Sequence, residues 1–305
     1  EDFAQGKVRI FETKIQPGSQ LADIPLKDLR LPQDVLAGLI FRNNRMIIPH
    51  GDDYLLPNDN TFFVGASGEI EKFSKHFAGT GIKAPERVMI IGAGRTGRTL
   101  AKMLDKQGVQ VKVIEKDAER SRMVAERIEE GIVVRGDGTD IDLLTQEGVG
   151  EADVVICLTA DDKLNLMLAL LAKHLGASRT IVRVARIEYV DLMEKVGVDI
   201  VLSSRLLAAG EILAFARRGG VVSVALLEGA KAEAMEVIVQ KGSYVENKKL
   251  MDLQLPKECL ICAFVRDDEA FVPTGQSSLQ VGDRAILFIR MEFANKVMKY
   301  FAGKA

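Results

Sequence analysis

The strongest constraint in this 305-residue sequence is that part of it occurs twice. Displaced by 224 positions, Gln16-Pro17-Gly18-Ser19 falls on Gln240-Lys241-Gly242-Ser243, and Asp28-Leu29-Arg30-Leu31-Pro32 falls on Asp252-Leu253-Gln254-Leu255-Pro256. Arg42, Pro49, Gly51 and Asp59 meet Arg266, Pro273, Gly275 and Asp283. Without a gap, 15 of 48 positions agree between residues 12–59 and 236–283. Turn formers at the same offsets imply the same chain reversals, so the two segments are copies of one fold unit.

Each copy reads as an apolar strand (residues 8–15; 234–239), a Gly-Ser turn, a Leu-x-Leu-Pro step and a strong strand (35–42; 259–266). A polar turn, a short strand ending in Pro-x-Gly, a further strand (61–64; 284–289) and an amphipathic helix follow. The expectation is two small α+β modules, residues 1–79 and 221–305. Between them, residues 86–204 follow a different grammar, with Gly79-Thr80-Gly81-Ile82-Lys83-Ala84-Pro85 as the linker.

The middle segment opens with the fully apolar run Val88-Met89-Ile90-Ile91, as a parallel strand covered on both faces requires. It enters Gly92-Ala93-Gly94-Arg95-Thr96-Gly97, a helical stretch at residues 98–107 follows, and a second strand at 109–114 ends in Glu115. A lone G-x-G-x-x-G is weak; strand before, helix after and an acid about 20 residues on make it a dinucleotide fingerprint. Gly92 permits the tight turn, Gly94 leaves room for a pyrophosphate, and Gly97 lets the helix lie close to the strand. The exposed N–H groups of residues 92–97 and the helix dipole then hold phosphates. Glu115 is placed to accept from the adenosine ribose hydroxyls, and its charge disfavours a 2′-phosphate.

Further strands at residues 132–135, 154–158, 181–184 and 199–202 alternate with helices. That alternation predicts an α/β, doubly wound, Rossmann-like parallel sheet with its ligand crevice at the carboxyl ends of the strands. Gly136, Asp137, Thr139 and Thr159 fall at that edge, while Asp161, Asp162 and Asn165 read as caps of the next helix.

Composition narrows the function classes. With 41 Lys+Arg against 43 Asp+Glu, the net charge is 41 − 43 = −2, so the basic excess used by non-specific nucleic-acid binders is missing. No apolar run approaches the roughly 18 residues of a membrane span. Three cysteines do not make a disulfide framework and suit a reducing compartment. His50, His76 and His174 lie away from the strand ends, and Tyr300-x-x-x-Lys304 sits outside the nucleotide segment. Cys259-x-x-Cys262 occupies a buried-strand pattern, where alternation sends the thiols to opposite faces. Arg217-Arg218 and Lys248-Lys249 read as solvated surface. Catalytic residues and a metal site are therefore not expected.

The glycine loop, Glu115, the Gly136-Asp137-Gly138-Thr139 turn and the Thr159-Ala160-Asp161-Asp162 strand end, taken with the repeated Leu-Pro modules, resemble the RCK or KTN family over the whole chain. These are cytoplasmic regulatory proteins of prokaryotic potassium uptake. The resemblance implies an NAD(H) site, with ATP or ADP as the alternative, at Gly92, Ala93, Gly94, Arg95, Thr96, Gly97, Glu115, Asp137, Thr139 and Thr159. It also implies a homo-oligomer, peripheral on the inner face of the plasma membrane, that gates a membrane potassium-translocating subunit. Because the family alternates nucleotide domains with C-terminal modules, the chain reads as one and a half units of a longer, two-unit regulator. The contrasting reading is a soluble NAD-dependent oxidoreductase with a non-standard catalytic site. Residues 206–216, an apolar helical stretch, are the expected link to a neighbouring domain or subunit.

Overall fold

The computed structural model describes residues 1–43, 45–77, 85–217 and 220–303. Residues 79–84 of the expected linker, Arg218 and Lys304 lie outside them. The chain divides into two units, one formed by residues 1–82 together with 207–305, the other by residues 83–206.

In the first copy, β1 (Asp2–Phe3), β2 (Val8–Lys14), β3 (Val35–Arg42), β4 (Arg45–Ile47) and β5 (Asn60–Ala66) make an antiparallel sheet in the order β1-β2-β5-β3-β4. The following helix, α1 (Ser67–Phe77), buries Ile70 and Phe73 against Ile40 and Phe63.

The middle unit alternates β6 (Arg87–Ile91), α2 (Arg95–Lys106), β7 (Gln110–Glu115), α3 (Ala118–Ala125), β8 (Ile132–Arg135), α4 (Ile141–Gln146), β9 (Val154–Cys157), α5 (Asp162–His174), β10 (Thr180–Val184), α6 (Val190–Lys195) and β11 (Ile200–Ser203). Its six parallel strands lie in the order β11-β10-β9-β6-β7-β8. Strand order therefore reverses between β6 and β9, which opens a crevice there. Both faces of β6 are buried, Met89 and Ile91 in one core and Val88 and Ile90 in the other. That double burial is why the strand reads as an unbroken apolar run.

After α7 (Ser204–Ala216), the second copy comprises β12 (Val221–Leu227), β13 (Ala232–Ile238), β14 (Cys259–Arg266), β15 (Glu269–Phe271), β16 (Arg284–Arg290) and α8 (Ala294–Phe301). Its order, β12-β13-β16-β14-β15, repeats that of the first copy. The offset of 224 survives in detail, down to a bulge between Ala37 and Leu39 in one copy and between Ile261 and Ala263 in the other. Each copy is fastened by one buried carboxylate. Asp59 accepts from Arg42 Nε (2.9 Å) and Nη2 (2.7 Å) and from the Leu56 N–H (2.8 Å). Asp283 accepts from Arg266 Nε (2.9 Å) and Nη2 (2.6 Å) and from the Gln280 N–H (2.7 Å). The shared hydrogen bonds raise both arginines further above their already high ordinary pKa.

The sequence pattern did not reveal β12 or the association of the copies. The two sheets share a core containing Phe41, Phe62 and Val64 from one and Cys262, Ile286 and Phe288 from the other. Phe62 and Phe288 meet edge to face at 6.3 Å between ring centroids. Cys262 lies in this shared core and Cys259 in the second copy's own core, as strand alternation requires. Gly38, the counterpart of Cys262 at the bulge, leaves the space the Phe288 ring fills; a Cβ there would lie 2.7 Å from it. Gly38→Ala is therefore expected to cost about 1–3 kcal/mol in denaturant unfolding. In a double-mutant cycle, Phe288→Leu should relieve much of that loss; additive effects would contradict the contact.

Candidate functional site

Local geometry at the end of β6 decides what the loop can do. Gly92 turns the chain at φ +104°, donates to the Ile114 carbonyl (2.9 Å), and has no room for a side chain, because a Cβ would stand 3.0 Å from the backbone at Leu158 and Thr159. Gly97 is more confined still, since a Cβ there would meet the Gly92 oxygen at 2.1 Å. By contrast, a Cβ on Gly94 meets nothing within 4 Å, at an unstrained φ of −61°. Two glycines are thus demanded by the protein, whereas Gly94 faces open space.

Helix α2 starts inside the motif, at Arg95, three residues earlier than the sequence pattern suggests. Its first turn holds no acidic residue, and Gly94 supplies no capping side chain. Arg98 is the first residue whose N–H bonds back, to the Gly94 oxygen at 3.0 Å. The N–H groups of Arg95, Thr96 and Gly97 precede the intrahelical ladder, so the positive end of the helix dipole is left for another acceptor. The loop is pinned from β7, where Glu115, buried at the strand end, accepts from the Ala93 N–H (2.6 Å) and the Asp117 N–H (2.9 Å). Each carboxylate oxygen retains a further lone pair.

These elements line a cleft of about 390 Å³ at the carboxyl edge of the sheet, together with Gly136, Asp137, Thr139 and Thr159. Asp137 accepts from the Thr139 N–H (3.0 Å) and hydroxyl (2.9 Å), which holds its carboxyl below the ordinary aspartate range. Thr159 donates its N–H (2.9 Å) and hydroxyl (2.6 Å) to Asn165 Oδ1. The sequence-predicted residues 92–97, 115, 137, 139 and 159 are thus gathered around one space, although Ala93 and Gly97 stand behind it rather than on its surface.

Three expectations need correction. Of the helix caps, Asp161 alone caps α5, accepting from the Lys163 and Leu164 N–H groups. Asp162 instead accepts from Ala185 and Arg186, and Asn165, fully buried, donates to the Thr159 and Arg183 carbonyls. Asp162 ties α5 to the chain just after β10 and Asn165 ties it to β10 itself, long-range roles invisible in local sequence. Arg217 is not solvated surface, for it forms an ion pair with the buried Glu233 of β13. Sequence reasoning also missed Lys116, Arg120 and Arg183, which bring positive charge to the cleft. Arg183 carried a readable signal, a cation within the apolar strand β10.

A larger cavity, about 690 Å³, opens at the opposite, amino edge of the sheet. Its cations are already engaged, Arg87 with Glu151 (3.1 Å) and Lys112 with Glu147 (2.9 Å), and the helix start that lines it, after Gly148, is one short turn that carries Glu151. Chemistry rather than volume selects the smaller cleft. His174 lies in the last turn of α5, about 18 Å along the helix from its cleft end at 1.5 Å per residue. Burial pushes the Cys157 and Cys259 thiols up to about 12 and also raises Cys262, so none forms a ready thiolate.

A doubly wound domain carrying a dinucleotide-type glycine loop, accompanied by two copies of one α+β module, defines a class of nucleotide-binding-fold proteins. The TrkA-N domain matches residues 88–204, and the TrkA-C domain matches residues 10–78 and 234–302. The chain is 37% identical over 302 residues to Trk system potassium uptake protein TrkA homolog 1 of Methanosarcina mazei, covering 99% of this chain and 67% of that protein. It is 36% identical over 299 residues to the Archaeoglobus fulgidus homolog, covering 98% and 67%. With TrkA of Vibrio alginolyticus it shares 33% identity over 293 residues, covering 94% and 64%. The chain belongs to the TrkA family and spans about two thirds of the length of these relatives. Among solved structures, the GsuK channel superposes with a TM-score of 0.51 at 22% identity, over 96% of this chain and 52% of that one, a likeness of fold.

The two kinds of glycine separate folding from binding. Gly97→Ala should destabilise the chain by more than about 2 kcal/mol in denaturant unfolding, because backbone must move. Gly94→Ala should leave unfolding within about 0.5 kcal/mol of the wild type; equal losses in both would contradict this assignment.

Proposed function

We propose that this chain is the nucleotide-sensing part of a regulator of potassium uptake, and that its cleft takes NAD(H), with ATP or ADP as competing occupants. The observation that carries this reading is the uncapped, acid-free start of α2 beside the open space at Gly94. A pyrophosphate there would receive the N–H groups of residues 94–97, with Ala93 holding the loop to Glu115. Glu115 would use its remaining lone pairs on the adenosine ribose, while Asp137, Thr139 and Thr159 border the rest of the nucleotide. The match to Trk system potassium uptake proteins supports the regulatory role over the oxidoreductase alternative. His174 stands at the far end of α5 from the cleft.

Regulation then follows from linkage. A nucleotide shifts a gate only by binding one arrangement of the assembly more tightly than another. In this reading the chain works as a homo-oligomer at the cytoplasmic face of the membrane and acts on a separate potassium-translocating subunit. Among the described residues, no helix is long and apolar enough to cross a membrane. Helix α7, which directly follows the last strand of the nucleotide unit, is the element proposed to carry the signal. Its Gly210 is pressed against the Val224 carbonyl, and Leu207 and Ile212 face outward at 56% and 66% exposure.

Calorimetric titration with NADH, NAD, ATP and ADP tests the site. The wild type should bind at least one of them, and Gly94→Val should weaken that binding by about tenfold or more, equivalent to 1.4 kcal/mol. Unchanged affinity in the variant would refute the placement, and steady nicotinamide turnover with hydride donors and acceptors would overturn the regulatory reading.

A further inference from the structure

The two copies are joined by a pair of polar bridges that the repeat relates to each other. Under the same displacement, Ala4 corresponds to Glu228, Glu12 to Glu236 and Asn60 to Arg284. Ala4 and Glu228 occupy the same strained place, a reversal at positive φ (49° and 48°) just before β2 and β13. On one side, the buried Glu236 accepts from the Ala4 N–H (3.0 Å), from the Ser223 hydroxyl (3.2 Å) and from the Arg284 guanidinium. On the other, Asn60 Nδ2 donates both to Glu12 Oε1 (2.5 Å) and to Glu228 Oε1. One bridge therefore sets a carboxylate against a guanidinium, whereas the other holds two carboxylates on a single uncharged amide.

We propose that the Glu12–Asn60–Glu228 bridge is a pH-responsive joint between the two copies, which tightens when the carboxylate pair takes up one proton. With both groups ionised, like charges share one donor nitrogen and repel; with one protonated, that repulsion is gone and an O–H donor is gained. The groups facing Glu12 are Glu1 from the segment before β1, Asn60 from β5, and Glu228 from the turn between β12 and β13. Crowding by protein raises the Glu12 carboxyl above the ordinary glutamate range; the Asn60 amide opposes this, and Glu228 and Glu1 add to it. Glu12 is itself solvent-exposed, so water screens the repulsion and weakens the effect of crowding. A carboxyl raised in the folded state contributes stability that is present below its unfolded pKa and lost as pH rises through the folded value. The joint is thus firmest in mild acid. The Glu236–Arg284 bridge sets one carboxylate against a guanidinium and holds no like-charged pair.

Melting midpoints of the wild type, Glu228→Gln and Glu12→Gln from about pH 5 to about pH 8 test the joint, glutamine keeping the acceptor oxygen without the charge. Each variant should match the wild type near the acid end and melt about 2–4 °C higher at the alkaline end. Asn60→Arg, which copies the other bridge, should flatten the pH dependence of the wild type in the same window. Differences that do not change with pH, or that grow toward acid, would overturn the proposal. Nucleotide titration of the same variants should be unaffected, which keeps the outcome separate from that of the cleft.

Discussion

The close approach of α2 to the turn after β6 is the constraint on which the site depends. A helix can present its free N–H groups at a sheet edge only if its first turn comes nearly into backbone contact with the strand it leaves. Here the separation is so small that a single added carbon on Gly97 would reach 2.1 Å from the Gly92 oxygen. Gly92 in turn holds a left-handed conformation against the chain beyond β9. The strand-order reversal between β6 and β9 leaves the space into which this turn points. Remove that contact and the dipole, the loop and the Glu115 pin lose their common geometry.

Duplication supplies the rest of the chain with a different economy. Each small module has the same buried Arg–Asp fork, which satisfies a carboxylate that would otherwise be costly to bury and closes the loop before β5 or β16. Neither sheet covers both its faces alone, so the copies bury one against the other through Phe62 and Phe288. Two of the differences between them lie where they meet. Gly38 stands where the other copy has Cys262 and makes room for an aromatic ring, and Asn60 stands where the other copy has Arg284.

Local grammar was enough for the fold class. The apolar run at Val88, the spacing of Gly92, Gly94 and Gly97, and the acid at Glu115 each follow from a backbone requirement acting within about 25 residues. The repeat disclosed the two modules because turn residues keep their offsets. What escaped is non-local. Asp162 and Asn165 look like helix caps in sequence, yet bond across to the chain just after β10 and to β10 itself. Arg217 looks like a surface cation but meets Glu233, 16 positions on, once β12 and β13 pair. Strand β12 escaped because its alternation is weak and its burial is divided between the second copy's own core and the shared one. Lys116 and Arg120 fall in an ordinary charged stretch, and only the curvature of the cleft gives them a common direction.

Two cavities open at opposite edges of the central sheet, and the claim that the smaller, glycine-lined one is the nucleotide seat can be examined amide by amide. Hydrogen–deuterium exchange of the chain with and without saturating NADH, repeated with ATP, reads it directly. Slowed exchange confined to residues 92–97 and 136–139 is the predicted result, since bound phosphates would take the free N–H groups at the start of α2. Protection at residues 108–112 and 146–151 of the amino-edge cavity, or no protection with either nucleotide, would contradict it.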